Sequence, residues 1–231
     1  MPPVPQRLES IVAALRRFYG PLPAPPRDPF TLFVWEVLSV HSTPQKRDAA
    51  LAALKRIPAL TPDSMFRSPE KKLRESVALA GPYVDNRMQA LRTGVDMFRR
   101  RPSLPATIRG PLQPARRALK GLPQMGEGGA YRMLLFAADH PILPVDARVA
   151  RVATRLGFGQ AQKDFAKTAK AVREALAPEL GGSLDAFCRA FLYLSHHGGA
   201  TCTERDPHCG VCPVLRACPE GRQRRERARQ A

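Results

Sequence analysis

The chain has 231 residues, of which 44% are hydrophobic, and its 37 Lys and Arg against 20 Asp and Glu give a formal net charge of +17. This apolar content is ordinary for a folded protein and argues against wholesale disorder. No apolar run is long enough to span a bilayer, and residues 1–5 carry no signal-peptide core, so we expect a cytoplasmic protein. The charge favours a nucleic-acid partner, with Arg-rich solvated faces as the alternative.

Apolar residues recur at helical spacing along the chain, and no segment has a persuasive strand pattern, so we predict an all-α fold. The first helix places Leu8, Ile11, Val12, Leu15 and Phe18 on one stripe, and a proline-rich linker follows it. The predicted helices cover residues 8–19, 30–40, 45–58, 69–79, 85–99, 112–121, 130–138, 145–156, 160–176 and 184–196. We expect the Arg-rich residues 219–231 to fray.

Residues 112–138 read as two helices joined by a tight turn that contains several glycines. A glycine-rich turn that leads into a helix exposes backbone N–H groups, which suit a phosphate. Many helical hairpins carry glycine for turn geometry alone, so this pattern by itself is weak.

Asp146 follows Pro144 at the start of a predicted helix. An aspartate in this place is commonly a helix N-cap. A carboxylate there could also act chemically, and one residue can do both.

Four cysteines lie within 17 residues with the spacing Cys202-x6-Cys209-x2-Cys212-x5-Cys218. An all-sulfur ligand set selects either zinc or an iron–sulfur cluster, and the spacing does not separate the two. The alternative is four unligated thiols in a reducing compartment. Cys188 lies on the apolar side of its helix, and we predict that it is a core residue.

The cysteine loop resembles the [4Fe–4S] loop of the endonuclease III family of helix-hairpin-helix DNA glycosylases. The approach to the loop, residues 197–202 (HGGATC), resembles the family's His-Gly-Arg-x-x-Cys, and Pro207 also matches. The resemblance implies a [4Fe–4S] cluster held by the four cysteines, and it favours this cluster over zinc.

Residues 122–130 (LPQMGEGGA) resemble the family hairpin Leu-Pro-Gly-apolar-Gly-x-Lys-x-Ala. The resemblance implies that the hairpin residues contact DNA, namely Gln124, Met125, Gly126 and Gly128. Gln124 replaces a glycine and would be strained if its φ is positive, and Glu127 adds a negative charge near the phosphate. Gly128 replaces the lysine that forms a Schiff base in bifunctional members, so we predict weak or absent lyase activity. Lys120 is the nearest substitute amine.

Residues 145–152 (VDARVARV) match the family's Val-Asp-Thr-His-x-x-Arg-Val, which implies that Asp146 is the catalytic carboxylate. A carboxylate can stabilise the positive charge that develops on the sugar, or activate a water. Arg148 stands in place of the family histidine.

The end of the second helix, Leu38-Ser39 followed by Thr43, resembles the family's Leu-Ser-Ala-Gln-x-Thr. His41 stands where the family has a Gln that fills the gap left by a flipped base, although a surface histidine is an equal alternative. Residues 81–83 (GPY) resemble Gly-Leu-Tyr, which makes Pro82 the DNA wedge and Tyr83 a stacking residue or a core residue. Glu36 is a candidate second acid.

The resemblance implies a six-helix barrel domain with the hairpin at 28–140, and a discontinuous cluster domain at 1–27 and 141–231. Asp146 would lie at the cleft between the domains. The implied function is a monomeric base-excision glycosylase that flips a damaged or mispaired base from duplex DNA and hydrolyses its glycosidic bond. It would be nucleoid-associated in a bacterium. The alternative is a catalytically inactive or redox-responsive DNA-binding homologue.

Overall fold

The protein is described here from a computed structural model, which covers residues 7–230. These residues form thirteen α-helices and two 3-10 turns and no strand, so the predicted all-α class is confirmed. Residues 1–6, where we looked for a signal-peptide core, lie outside the described residues. Within 7–230, no helix combines the length and the apolar character of a membrane span. The chain divides into two compact units, residues 25–140 (the continuous unit) and residues 1–24 with 141–231 (the split unit).

The continuous unit contains eight of the described helices. They are α2 (Pro29–Ser39), α3 (Pro44–Arg56), α4 (Pro62–Arg67), α5 (Glu70–Ala78), α6 (Val84–Arg100), α7 (Leu104–Arg109), α8 (Leu112–Lys120) and α9 (Glu127–Ala137). Six of them have nine or more residues, whereas α4 and α7 have six each and were not predicted. Helices this short carry too few apolar positions to show a period.

Helix α2 is the centre of the continuous unit and contacts α3, α6, α7 and α9. Its apolar residues are buried nearly all round, as its sequence predicts. Phe33 packs against Phe98 of α6 with ring centroids 5.9 Å apart. Gly94 permits this approach, because a Cβ there would lie 2.2 Å from the Phe33 ring.

The split unit contains α1 (Arg7–Tyr19), α10 (Ala147–Arg155), α11 (Phe165–Leu180), α12 (Leu184–Ala200) and α13 (Pro219–Gln230), with 3-10 turns at Cys209–Val211 and Leu215–Ala217. Helix α12 packs against α1 and α10. The contact with α10 is close at Gly198, where a Cβ would meet the Arg148 backbone at 3.0 Å. Cys188 is buried in α12, as predicted.

Two predicted helix boundaries and one predicted core position are wrong. Helix α11 begins at Phe165 rather than at residue 160, because the Asp164 carboxylate accepts the Ala166 amide and caps the helix there. Helix α9 begins three residues early, with Gly126 as its N-cap. Phe18 is 51% exposed although it belongs to the apolar stripe of α1.

The Arg-rich tail is helical from Pro219 to Gln230, contrary to the frayed segment that we predicted. Proline suits the first position of a helix, and Arg224 donates two hydrogen bonds to the Glu220 carboxylate one turn earlier. Gly221 lies against Leu215, whose side chain would be 3.0 Å from an added Cβ. The first turn of α13 is therefore held against the segment that precedes it.

Candidate functional site

Asp146 caps helix α10. Its Oδ1 accepts the Val149 amide at 2.9 Å, and its Oδ2 lies 3.4 Å from the Ser195 hydroxyl, a long contact. The N-cap interpretation is thus correct for one carboxylate oxygen. The side chain is only half-buried, so the second oxygen is held in place without being sealed from solvent.

The hairpin consists of α8, a turn and α9. Gln124 lies at the turn with φ 56°, so the left-handed conformation that favours glycine is present at this non-glycine position. Met125 packs beside Gly129, where its sulfur would be 2.8 Å from an added Cβ. Gly126 is exposed and caps α9 without a side-chain oxygen, so no side chain caps the first amides of α9, which is the condition for a phosphate to bind there.

An ion pair that the sequence did not predict lies next to the hairpin. Arg132 donates to both Glu36 oxygens, at 2.7 and 2.6 Å, and the Glu36 side chain is only 6% exposed. The Arg132 Nη1 would be 3.5 Å from a Cβ on Gly128, and the Glu36 carboxylate would be 3.2 Å from one on Gly129. Because both Glu36 oxygens accept hydrogen bonds from a guanidinium, the carboxylate is arranged as an ion-pair partner and not as a proton donor.

Lys120 is the last residue of α8 and is exposed. No amine lies at Gly128, which is the second residue of α9.

Three further predicted DNA-contact residues lie together on the continuous unit. His41, Pro82 and Tyr83 are all exposed, and the His41 and Tyr83 ring centroids are 5.2 Å apart. Tyr83 is therefore not a core residue. Both His41 and Tyr83 have positive φ, 50° and 67°. The turn before Tyr83 also contains Gly81, with φ 103°.

All four predicted cysteine ligands line one pocket of the split unit. Cys218 is buried, and the other three are half-buried. Within residues 7–230, no three His, Cys, Asp or Glu side chains are close enough together to hold a single metal ion.

Hydrogen-bond donors surround these sulfurs. Arg155 donates to Cys202 Sγ at 3.3 Å, and the Gly221 amide donates to Cys218 Sγ at 3.3 Å. His197 Nε2 lies 3.7 Å from Cys212 Sγ, and its Nδ1 is 2.7 Å from the Tyr19 hydroxyl. Donors aimed at sulfur favour the thiolate, which is the form that binds metal.

Burial changes the protonation of this pocket. Together with the neighbouring cysteines, it raises the pKa of the Cys212 thiol to about 11. It lowers the pKa of the His197 imidazole to about 4, so His197 is neutral at pH 7. A bound metal centre would reverse the preference of the thiols, because a coordinating thiol loses its proton.

The predicted site residues thus form two groups. Asp146 and the four cysteines belong to the split unit, whereas the hairpin, His41, Pro82 and Tyr83 belong to the continuous unit. The sequence did not predict the contacts of Arg87, Arg132 and Arg155. An arginine in an amphipathic helix has no local signal that distinguishes a buried, hydrogen-bonded side chain from a solvated one.

No protein-family model matches the chain. The chain is 26% identical to endonuclease III of Escherichia coli (strain K12) over 190 residues, which are 82% of this chain and 83% of that protein. Among solved structures, it is similar to a non-covalent endonuclease III–DNA complex, with a TM-score of 0.73 and 21% identity over 97% of this chain and 99% of the other. It is also similar to a thermostable thymine-DNA glycosylase, with a TM-score of 0.67 and 18% identity over 94% and 98% of the two chains. The chain is therefore similar to endonuclease III along four fifths of its sequence, and it has the same fold as the endonuclease III structures.

Proposed function

We propose that this protein is a DNA base-excision glycosylase that displaces a damaged or mispaired base from duplex DNA and hydrolyses its glycosidic bond. The observation that carries the proposal is Asp146. It is fixed by the Val149 amide through one oxygen and leaves the other at a half-buried position, in a chain similar to endonuclease III. A carboxylate held in this way can stabilise a cationic sugar or activate a water.

The DNA-contacting residues of the proposal are the hairpin positions Gln124, Met125, Gly126 and Gly128, together with His41, Pro82 and Tyr83. The first amides of α9, which no side chain caps, suit a phosphate, and the exposed ring pair suits contact with bases. We take the partner to be double-stranded DNA, met by a monomer in the cytoplasm. The charge of +17 supports a polyanionic partner.

Gly128 supports a monofunctional reaction. A glycosylase that also cleaves the strand needs an amine to form a Schiff base, and the side chain beside Gly128 is the Arg132 guanidinium. Guanidinium stays protonated at all working pH values and is therefore not a nucleophile. Lys120 is exposed at the end of α8 and is the first lysine to mutate if strand cleavage is observed.

We propose that Cys202, Cys209, Cys212 and Cys218 hold a [4Fe–4S] cluster, which would supply a structural anchor for residues 202–218. A four-iron cluster takes one thiolate per iron, whereas a single zinc needs all four sulfurs about 2.3 Å from one point. The four cysteines line one pocket, and hydrogen-bond donors are aimed at two of their sulfurs, which supports a shared metal centre. The resemblance of the cysteine loop to the endonuclease III loop favours the cluster over zinc.

The experiment compares Asp146→Asn with Asp164→Asn on labelled duplexes that contain an oxidised pyrimidine, uracil, a mispair, an alkylated purine or an abasic site. Both aspartates cap a helix in the same unit, and asparagine keeps a cap, so only a chemical role separates the two variants. We expect strand breaks that need hot alkali with the wild type and with Asp164→Asn, and at least about a hundredfold slower excision with Asp146→Asn. DNA affinity should be unchanged.

Excision that survives in Asp146→Asn would overturn the role of Asp146. Duplex binding without excision of any base by the wild type would favour the catalytically inactive homologue.

A further inference from the structure

The inference concerns Arg87, a residue of the first turn of α6. Its side chain is only 1% exposed, which makes it one of the largest fully buried side chains among the described residues. Arginine is almost never fully buried unless it is paired. In residues 7–230, no carboxylate forms an ion pair with Arg87, and its Nε has no hydrogen-bond partner.

Backbone carbonyl groups take the place of a carboxylate around Arg87. The guanidinium donates to Val40 O at 2.5 Å, to Gly81 O at 3.1 Å and to Ala80 O at 3.3 Å, and it also donates to Pro82 O. Val40 follows α2, whereas the other three carbonyls belong to the link between α5 and α6. One buried side chain therefore ties together two links that lie about forty residues apart in sequence.

Burying a charge with only carbonyl partners is a poor source of stability. Burial lowers the pKa of the Arg87 guanidinium, which measures the cost of keeping the charge away from water. Apolar residues of similar volume often replace buried charges without loss of stability. The arrangement therefore needs a reason beyond the stability of the core.

The residues next to these carbonyls supply that reason. His41 follows Val40 and Tyr83 follows Pro82, both with positive φ and both with exposed side chains. Such conformations cost about 1 kcal/mol or more each in non-glycine residues, and they persist only where the surroundings enforce them. Arg87 donates hydrogen bonds to the carbonyl groups of Val40 and Pro82, which precede His41 and Tyr83.

The hairpin is tied to the same place. The side-chain amide of Gln124 donates from Nε2 to Asn86 O at 3.0 Å, one residue before Arg87. Gln124 also has positive φ. Among the described residues, three of the four non-glycine residues with positive φ thus lie around the first turn of α6. The fourth, Asp139, lies elsewhere in the chain.

We propose that Arg87 is a positioning residue that holds the exposed His41–Tyr83 ring pair in the orientation that grips duplex DNA around a displaced nucleotide. The inference rests on the proposed function, since it assigns the ring pair to that DNA contact. Arg87 itself is buried and touches no DNA. Its effect on recognition passes through the backbone of the two links.

The test measures how well each variant discriminates a lesion. The probes are a duplex with a tetrahydrofuran abasic analogue opposite 2-aminopurine and the same duplex without the analogue. The ratio of the two dissociation constants and the 2-aminopurine fluorescence measure how tightly the protein holds the displaced nucleotide, and neither requires the excised base to be known.

The variants are Arg87→Lys, Arg87→Gln, the double variant His41→Ala/Tyr83→Ala, and each Arg87 change in that double-alanine background. Arg99→Lys is the control, because it makes the same change in an arginine that pairs with Asp63 at a distance from the links.

We expect Arg87→Lys to reduce the discrimination ratio about tenfold in the wild-type background and less than about twofold in the double-alanine background. The affinity for the intact duplex should not change, and Arg99→Lys should have no effect on the ratio. An equal loss in both backgrounds, no loss in either, or failure of both Arg87 variants to fold would overturn the inference. A wild type that does not discriminate the abasic duplex would instead refute the proposed function.

Discussion

At the scale of single residues, the proposed monofunctional chemistry can be tested at Gly128. It is a helical residue without positive φ, and its nearest neighbour is the Arg132 Nη1, 3.5 Å from an added Cβ. A side chain at this position thus meets an ordinary contact, and no backbone strain opposes it. A lysine there would extend beside a guanidinium that Glu36 holds in place.

Gly128→Lys should therefore create an amine that borohydride can trap on an abasic duplex. The new lysine would supply the primary amine that a Schiff base needs, beside the Arg132 guanidinium that pairs with Glu36. Gly128→Met is the matched control, with similar length and no amine. Equal trapping by the wild type and by Gly128→Lys would show that another amine of the wild type already forms the Schiff base.

His197 predicts a component of stability that depends on pH. Its folded pKa of about 4 lies below the ordinary value of 6.5, so the unfolded chain takes up a proton first as the pH falls. The free energy of unfolding should therefore fall by about 2 kcal/mol from about pH 7.5 to about pH 5 because of His197.

Urea unfolding across this range measures the effect, and His197→Gln should lack it. His208→Gln, which changes an exposed histidine, should keep it. The same slope in the wild type and in His197→Gln would contradict the prediction.

The sequence predicted the site residues that a motif marks, but not the partners that fold around them. Asp146 could be predicted both as a cap and as a candidate acid. The ion pair of Glu36 could not, because Arg132 is 96 positions away and contact at that range depends on tertiary packing. The positive φ of His41 also had no local signal, unlike that of Tyr83, which follows a Gly-Pro turn.

At the scale of helices, the contact between α2 and α6 depends on the absence of a side chain at Gly94. Gly94→Ala would place a Cβ 2.2 Å from the Phe33 ring, which lies in a packed aromatic cluster with Phe30 and Phe98. The substitution should destabilise the protein by about 2 kcal/mol, because overpacking outweighs the better helix propensity of alanine.

Thermal and urea unfolding of Gly94→Ala check this, with Gly128→Ala as the helical control in the same unit. The control should be neutral or slightly stabilising, since its Cβ meets only an ordinary contact. Similar unfolding of the two variants would show that α2 and α6 separate easily.

Long amphipathic helices with capping residues were predicted well, and short or polar ones were not. Helix α2 has both signals, with Asp28 at its N-cap and a continuous apolar surface. Helix α4 has only a capping box between Thr61 and Ser64, because six residues are too few for a period. Helix α13 has almost no apolar residues, so the hydrophobic pattern could not predict its contact with the preceding cysteine segment.

At the scale of the whole molecule, the charge of +17 predicts that binding to intact duplex DNA depends steeply on salt. If six or more phosphates are neutralised, affinity should fall about a thousandfold or more between about 50 and 200 mM salt. Titrations at several salt concentrations measure the slope, and Asp146→Asn should share the wild-type slope. A nearly flat dependence would mean that the positive charge faces away from the phosphates.

The split of one unit across the sequence also constrains how the protein is made. Helix α1 is synthesised early, yet its partners come late: the Leu8 amide donates to Glu179, and the Tyr19 hydroxyl bonds both His197 and Thr201. On a ribosome, the continuous unit emerges whole and can fold first, because domains generally fold as units during synthesis. Helix α1 must wait with its apolar face uncovered until its partners α11 and α12 have been synthesised. A pulse-labelled chain should therefore become protease-resistant in two stages.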